Sequence, residues 1–140
     1  MKTIFMSIKS MLPIAGILFM ALGLWSCGGG NQKQAQDQKL KEVKETSALQ
    51  VEDVIRDVEQ RIRFLDGEIE KASGELEQQL EEARGILKEQ KESLNQATKS
   101  IKDATYEGWS DVLQQVGATL ADARKKTNEV SLKVRNLLDE

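Results

Sequence analysis

Cys27 is the only cysteine of the chain, and the sequence contains no histidine. A thiolate is the best nucleophile such a chain can offer, for attack or for accepting an acyl-type group. Without histidine, neither a Cys–His nor a Ser–His–Asp nucleophile can be assembled, and the usual His/Cys metal sets are excluded. One cysteine also permits no disulfide within the chain. Gly28-Gly-Gly30 has no strand before it and no Lys-Ser/Thr after it, so it is not a phosphate-binding loop. Carboxylates are numerous, but their spacing places them on helix exteriors. No catalytic residue, metal ligand or cofactor is therefore expected, and the chemistry of the chain concentrates at Cys27.

The residues before Cys27 explain how that thiol would be used. Met1 to Lys9 is short and basic, with Lys2 and Lys9 and no acidic residue. An uncharged run of 15 residues, Met11 to Trp25, follows. As a helix it would rise about 22 Å, less than the roughly 30 Å of a hydrocarbon core, which suits a cleaved export signal better than a spanning helix. Leu24-Trp25-Ser26-Cys27 then resembles the lipobox of bacterial lipoprotein precursors: an aliphatic residue three before the cysteine, a small residue just before it, then the cysteine. Trp25 departs from the smaller residue usual in its place. The resemblance implies recognition of Leu24 and Ser26 by the signal peptidase, thioether lipidation of Cys27 and cleavage after Ser26. Two or three acyl chains, at about 0.8 kcal/mol per buried methylene, make such an anchor effectively permanent. The alternative is an uncleaved membrane anchor with an incidental cysteine. Gly28 is not the aspartate that marks inner-membrane retention in enteric-type bacteria, so the analogy points to the outer membrane and an extracytoplasmic location.

With residues 1–26 set aside as signal, 18 basic and 23 acidic residues remain, a net charge of −5. That sign argues against nucleic acid and gives no attraction to anionic lipid. Phe64, Tyr106 and Trp109 are the only aromatic residues after Cys27, and no proline follows Pro13. Few large side chains with dense charge indicate an elongated all-α protein rather than a globular core.

Residues 27–46, Gly- and Gln-rich at their start, read as a lipidated flexible tether, with Leu40 onward able to join the next helix. Ser47-Ala-Leu-Gln50 fits a capping box and places the start of the main helix. The expected seam is Ile55, Val58, Ile62, Leu65, Ile69, Ala72 and Leu76, in alternating steps of three and four. Its phase shifts at Leu80, as in a stutter, and it resumes through Leu87, Gln90, Leu94, Ala97, Ile101 and Ala104. Because the seam stays in phase past Gly67 and Gly74, a helix of about 58 residues, near 87 Å long, is expected, with Gly85 the better place for a bend. A break near 107–110 follows, with Gly108 ending one helix in the left-handed conformation and Ser110 capping the next. The last seam runs Trp109, Leu113, Val116, Leu120, Ala123, Thr127, Val130, Val134, Leu137. Residues 47–140 are thus a helical coiled-coil region, forming a hairpin or bundle or else self-associating, since one apolar stripe needs cover.

Leu76-Glu-Gln-Gln-Leu80-Glu-Glu-Ala83, Glu107-Gly-Trp109-Ser-Asp-Val-Leu113 and Leu120-Ala-Asp-Ala-Arg-Lys126 resemble stretches shared by small bacterial coiled-coil proteins. The resemblance implies helices and carries no activity. Trp109 can serve as an interface anchor, although a core or helix-end packing role is favoured. Three functions fit: a membrane-anchored structural or interaction coiled coil of the cell envelope, with itself or a helical protein as partner; an apolipoprotein-like lipid-surface binder; or an envelope spacer like murein lipoprotein. The narrow apolar stripe argues against the second. The terminal Leu-Leu-Asp-Glu140, lacking the cross-linking lysine, argues against the third.

Overall fold

The computed structural model describes residues 32–139, an all-helical bundle of α1 (Gln32–Lys71), α2 (Glu75–Asp103) and α3 (Trp109–Asp139). Lys, Glu, Gln, Ala and Leu dominate these segments and no proline interrupts them, so local propensity favours helix throughout. The apolar stripes then decide how the helices meet. Asp66–Arg84 at 2.7 Å and Glu59–Lys91 at 3.0 Å fix α1 and α2 as antiparallel neighbours. Glu82–Lys133 at 3.3 Å sets α3 antiparallel to α2. α1 and α3 therefore run parallel, and both pack mainly on α2.

The core is one continuous cluster. Val51, Val54, Val58 and Leu65 come from α1, Leu80, Leu87, Leu94 and Ile101 from α2, and Val116, Leu120, Val130 and Val134 from α3. Each large aliphatic side chain buried here contributes about 1.5–3 kcal/mol relative to exposure. The α2 stripe Leu80, Ala83, Leu87, Gln90, Leu94, Ala97, Ile101 is buried as the spacing predicts. So is most of the α3 stripe, but Leu113 is 41% exposed and Val112 packs against the core in its place.

The first break differs from the sequence expectation. Residues 47–104 are not one helix: the chain turns at residues 72–74, and Gly74 takes φ 65° and ψ −134°. A side chain is sterically disfavoured in that conformation, so glycine is what the turn requires. Gly85 lies inside α2 with open space around it and marks no bend. Phase continuity misled because both arms of a tight antiparallel turn point their stripes at the same interface. The shift at Leu76–Leu80 is the new helix taking its own phase rather than a stutter.

The second break falls at residues 104–108, one turn earlier than 107–110. α2 ends in the extended backbone of Ala104, φ −66° and ψ 138°. Gly108 is not left-handed; its N–H donates to Thr105 Oγ1 at 3.1 Å. Trp109 begins α3, so Ser110 sits within the first turn rather than before it.

α1 also begins earlier than expected. Residues 32–46, read as flexible tether, are helical, and Ser47 is a buried mid-helix residue rather than a cap. Favourable helix formers continue upstream of the seam, so the helix extends beyond the part that packing requires. Lys44 Nζ donates to the carbonyl of Lys102, next to the end of α2, at 3.0 Å. Residues 32–43 consequently project past α2 by about 18 Å of helix.

Candidate interaction groove between α1 and α3

Because α1 and α3 each favour α2, they meet one another only sparingly, and a groove runs between them. Towards the end of α3 it opens into a cavity of about 410 Å³ over Phe64, Leu65, Leu87, Val130, Val134 and Leu138. Phe64 directly precedes the buried seam residue Leu65 on α1 and is 53% exposed, so its ring stands at the lip. Further along, a second hollow of about 320 Å³ is lined by Asp53, Val54, Asp57, Arg124, Thr127 and Asn128.

Arg61 crosses the groove between the two hollows. Its Nε holds Asp57 Oδ2 at 3.1 Å, and its other end donates to Ser131 Oγ on α3. Ser131 Oγ in turn donates to the Thr127 carbonyl at 2.8 Å. The lips differ in charge. Asp53 and Asp57 lie along α1 beside Arg61, and Arg124 and Arg135 along α3, with Asp139 at its end. Asp53 and Asp57 have arginine neighbours on their own helix, Arg56 at 3.6 Å and Arg61 at 3.1 Å, whereas neither Arg124 nor Arg135 forms an ion pair among the described residues.

This surface can hold apolar side chains on its floor and orient charged ones at its lips. Among the described residues no group of three or more His, Cys, Asp or Glu side chains is placed to share a metal ion.

The sequence-selected site residues are distributed differently. Leu24, Ser26 and Cys27 lie outside the described residues. Trp109 is half-buried and packs against the core at the start of α3, with Tyr106 exposed in the preceding turn. Glu52–Arg56, Asp57–Arg61 and Asp122–Lys126 form the short-range pairs that their spacing suggests, at 3.6, 3.1 and 3.2 Å. Glu59, spaced to pair with Arg63 four residues on, reaches across to Lys91 of α2 instead. Sequence reasoning missed Phe64, Arg135 and Leu138 as groove residues. The available signal was Phe64 itself, a large aromatic adjacent to the seam but not in it.

Among the described residues no helix is long and apolar enough to cross a membrane. Compared with known proteins, the chain matches no protein-family profile, no curated sequence and no solved structure.

Proposed function

We propose that the chain is a non-enzymatic lipoprotein of the cell envelope, anchored by acyl chains on Cys27 and presenting its three-helix bundle as an extracytoplasmic interaction module. The observation that carries this reading is the placement of the sole cysteine. It closes an uncharged 15-residue run, with Leu24 and Ser26 at the lipobox positions and Gly28-Gly-Gly30 immediately after. Gly28 in place of aspartate favours the outer membrane by analogy with enteric-type sorting.

The bundle adds a mechanical element to this reading. Residues 28–31 alone lie between Cys27 and α1, and the first turns of α1 project beyond α2. A projecting helix is stiffer than the Gln-rich coil expected from composition. In this reading the first turns of α1 serve as a stem about 18 Å long. The apolar stripes are already covered within the chain, so a partner is taken at the α1–α3 groove rather than along the seam.

The test is radiolabelled palmitate incorporation with membrane fractionation in a bacterium that processes lipoproteins. Wild-type protein is expected to carry label and sediment with membranes, and Cys27→Ser to carry none. Label retained by Cys27→Ser would refute the anchor. The unlipidated Gly28–Glu140 fragment is expected not to bind vesicles. Binding would favour the apolipoprotein-like surface binder instead.

A further inference from the structure

We propose that the α1–α3 groove is the dimer interface of this protein, occupied by the same groove of a second copy in a parallel, twofold-symmetric pairing. The groove carries both halves of its own complement. Phe64 projects at its lip, and beside it lies the hollow over Leu65, Leu87, Val134 and Leu138. On the α1 lip stand Asp53 and Asp57, the latter paired with Arg61, and on the α3 lip stand Arg124 and Arg135, with Asp139 at the far end; the pair that is opposite in charge at one level is Asp53 and Arg124.

Level along the bundle decides the symmetry. Asp53 and Arg124 line the same hollow, so they stand at one level, and Phe64 stands level with Val134 and Leu138. A twofold axis running along the helices sets α1 of each copy against α3 of the other without changing level. Asp53 then faces the second copy's Arg124, and Phe64 enters the second copy's hollow beside Arg135, where the guanidinium can meet the ring face. Both contacts occur twice. An axis across the helices would instead lay α1 on α1 and α3 on α3, and would separate Asp53 from Arg124. Opposite charges at one level therefore select the parallel arrangement.

The lip residues Asp53, Phe64, Arg124 and Arg135 are exposed in one chain, and the interface leaves the intramolecular core intact. It is independent of acylation at Cys27, so it can fail or succeed separately from the anchor.

The Gly28–Glu140 fragment tests it, because it contains every residue of the core and no cysteine. Sedimentation equilibrium is expected to show a dimer. Asp53→Arg and Arg124→Asp, both on the surface, are each expected to weaken it about tenfold or more while circular dichroism stays unchanged. The equimolar mixture of these two variants is expected to recover wild-type affinity, because the reversed charges then face their opposites across both contacts. A monomer at every concentration overturns the proposal, and so does a dimer indifferent to these substitutions. In a second measurement, Asp53→Cys and Arg124→Cys chains are mixed and oxidised. Parallel pairing joins the two different chains, and predominant joining of like chains overturns the proposed symmetry.

Discussion

Gln90 of α2 and Thr127 of α3 are both more than nine-tenths buried at neighbouring levels of the bundle, and neither Gln90 Oε1 nor Thr127 Oγ1 has a hydrogen-bond partner among the described residues. Each occupies a seam position among otherwise apolar side chains. An unpaired buried polar group costs about 1–3 kcal/mol. Polar residues at seam positions can also fix the pairing of helices at a cost in stability.

Replacing these groups separates the two effects. Gln90→Leu and Thr127→Val are each expected to stabilise the bundle by about 1 kcal/mol, raising the denaturant midpoint with the slope unchanged. A lower midpoint for both would mean that the two groups are satisfied in solution.

Two glycines should respond in opposite directions. Gly74→Ala forces a side chain into the φ 65° conformation and is expected to cost about 1–3 kcal/mol. Gly85→Ala, in open space inside α2, is expected to gain about 0.5–1 kcal/mol. Thermal unfolding of the pair checks the position of the turn, since a bend at Gly85 would reverse the signs.

Core and lip should differ as sharply. Leu87→Ala and Leu94→Ala remove fully buried side chains and are expected to cost about 2–5 kcal/mol each. Phe64→Ala, half-exposed at the groove lip, is expected to cost less than about 1 kcal/mol of monomer stability. Chemical denaturation at concentrations too low for association makes the comparison.

The cross-helix pair Glu59–Lys91 is about one-third exposed on both sides, so its value is small. Glu59→Gln is expected to cost at most about 1 kcal/mol, with most of that lost at high salt. A larger, salt-insensitive loss would mean that the pair is buried more deeply than its exposure indicates.

The α2 and α3 seams were legible because burial follows spacing, whereas on α1 only Val58 and Leu65 of the expected stripe are buried, joined by Val51 and Val54, and Ile55, Ile62 and Ile69 are partly buried. The α2 stripe from Leu80 to Ile101 and the α3 stripe from Val116 to Val134 are the buried residues themselves. The turn at Gly74 was hidden, because spacing registers which face is apolar and not whether the chain has reversed direction. Gly74 was visible as a glycine, but only the backbone distinguishes its positive φ from the helical backbone of Gly85. The early start of α1 was hidden for a different reason: residues 32–43 form helix by propensity without a stripe to announce it. The groove was illegible since it arises from how far α1 and α3 separate, a tertiary quantity. Phe64 and Arg135 gain meaning only when that gap brings them together.

The central claim joins Cys27 to the bundle, and intact-protein mass spectrometry of chains extracted from membranes tests it most directly. The account predicts a mature species whose amino terminus is Cys27, with the mass of residues 27–140 plus a diacylglyceryl thioether. A species that retains Met1 to Ser26, or begins at Cys27 without added lipid mass, would contradict it.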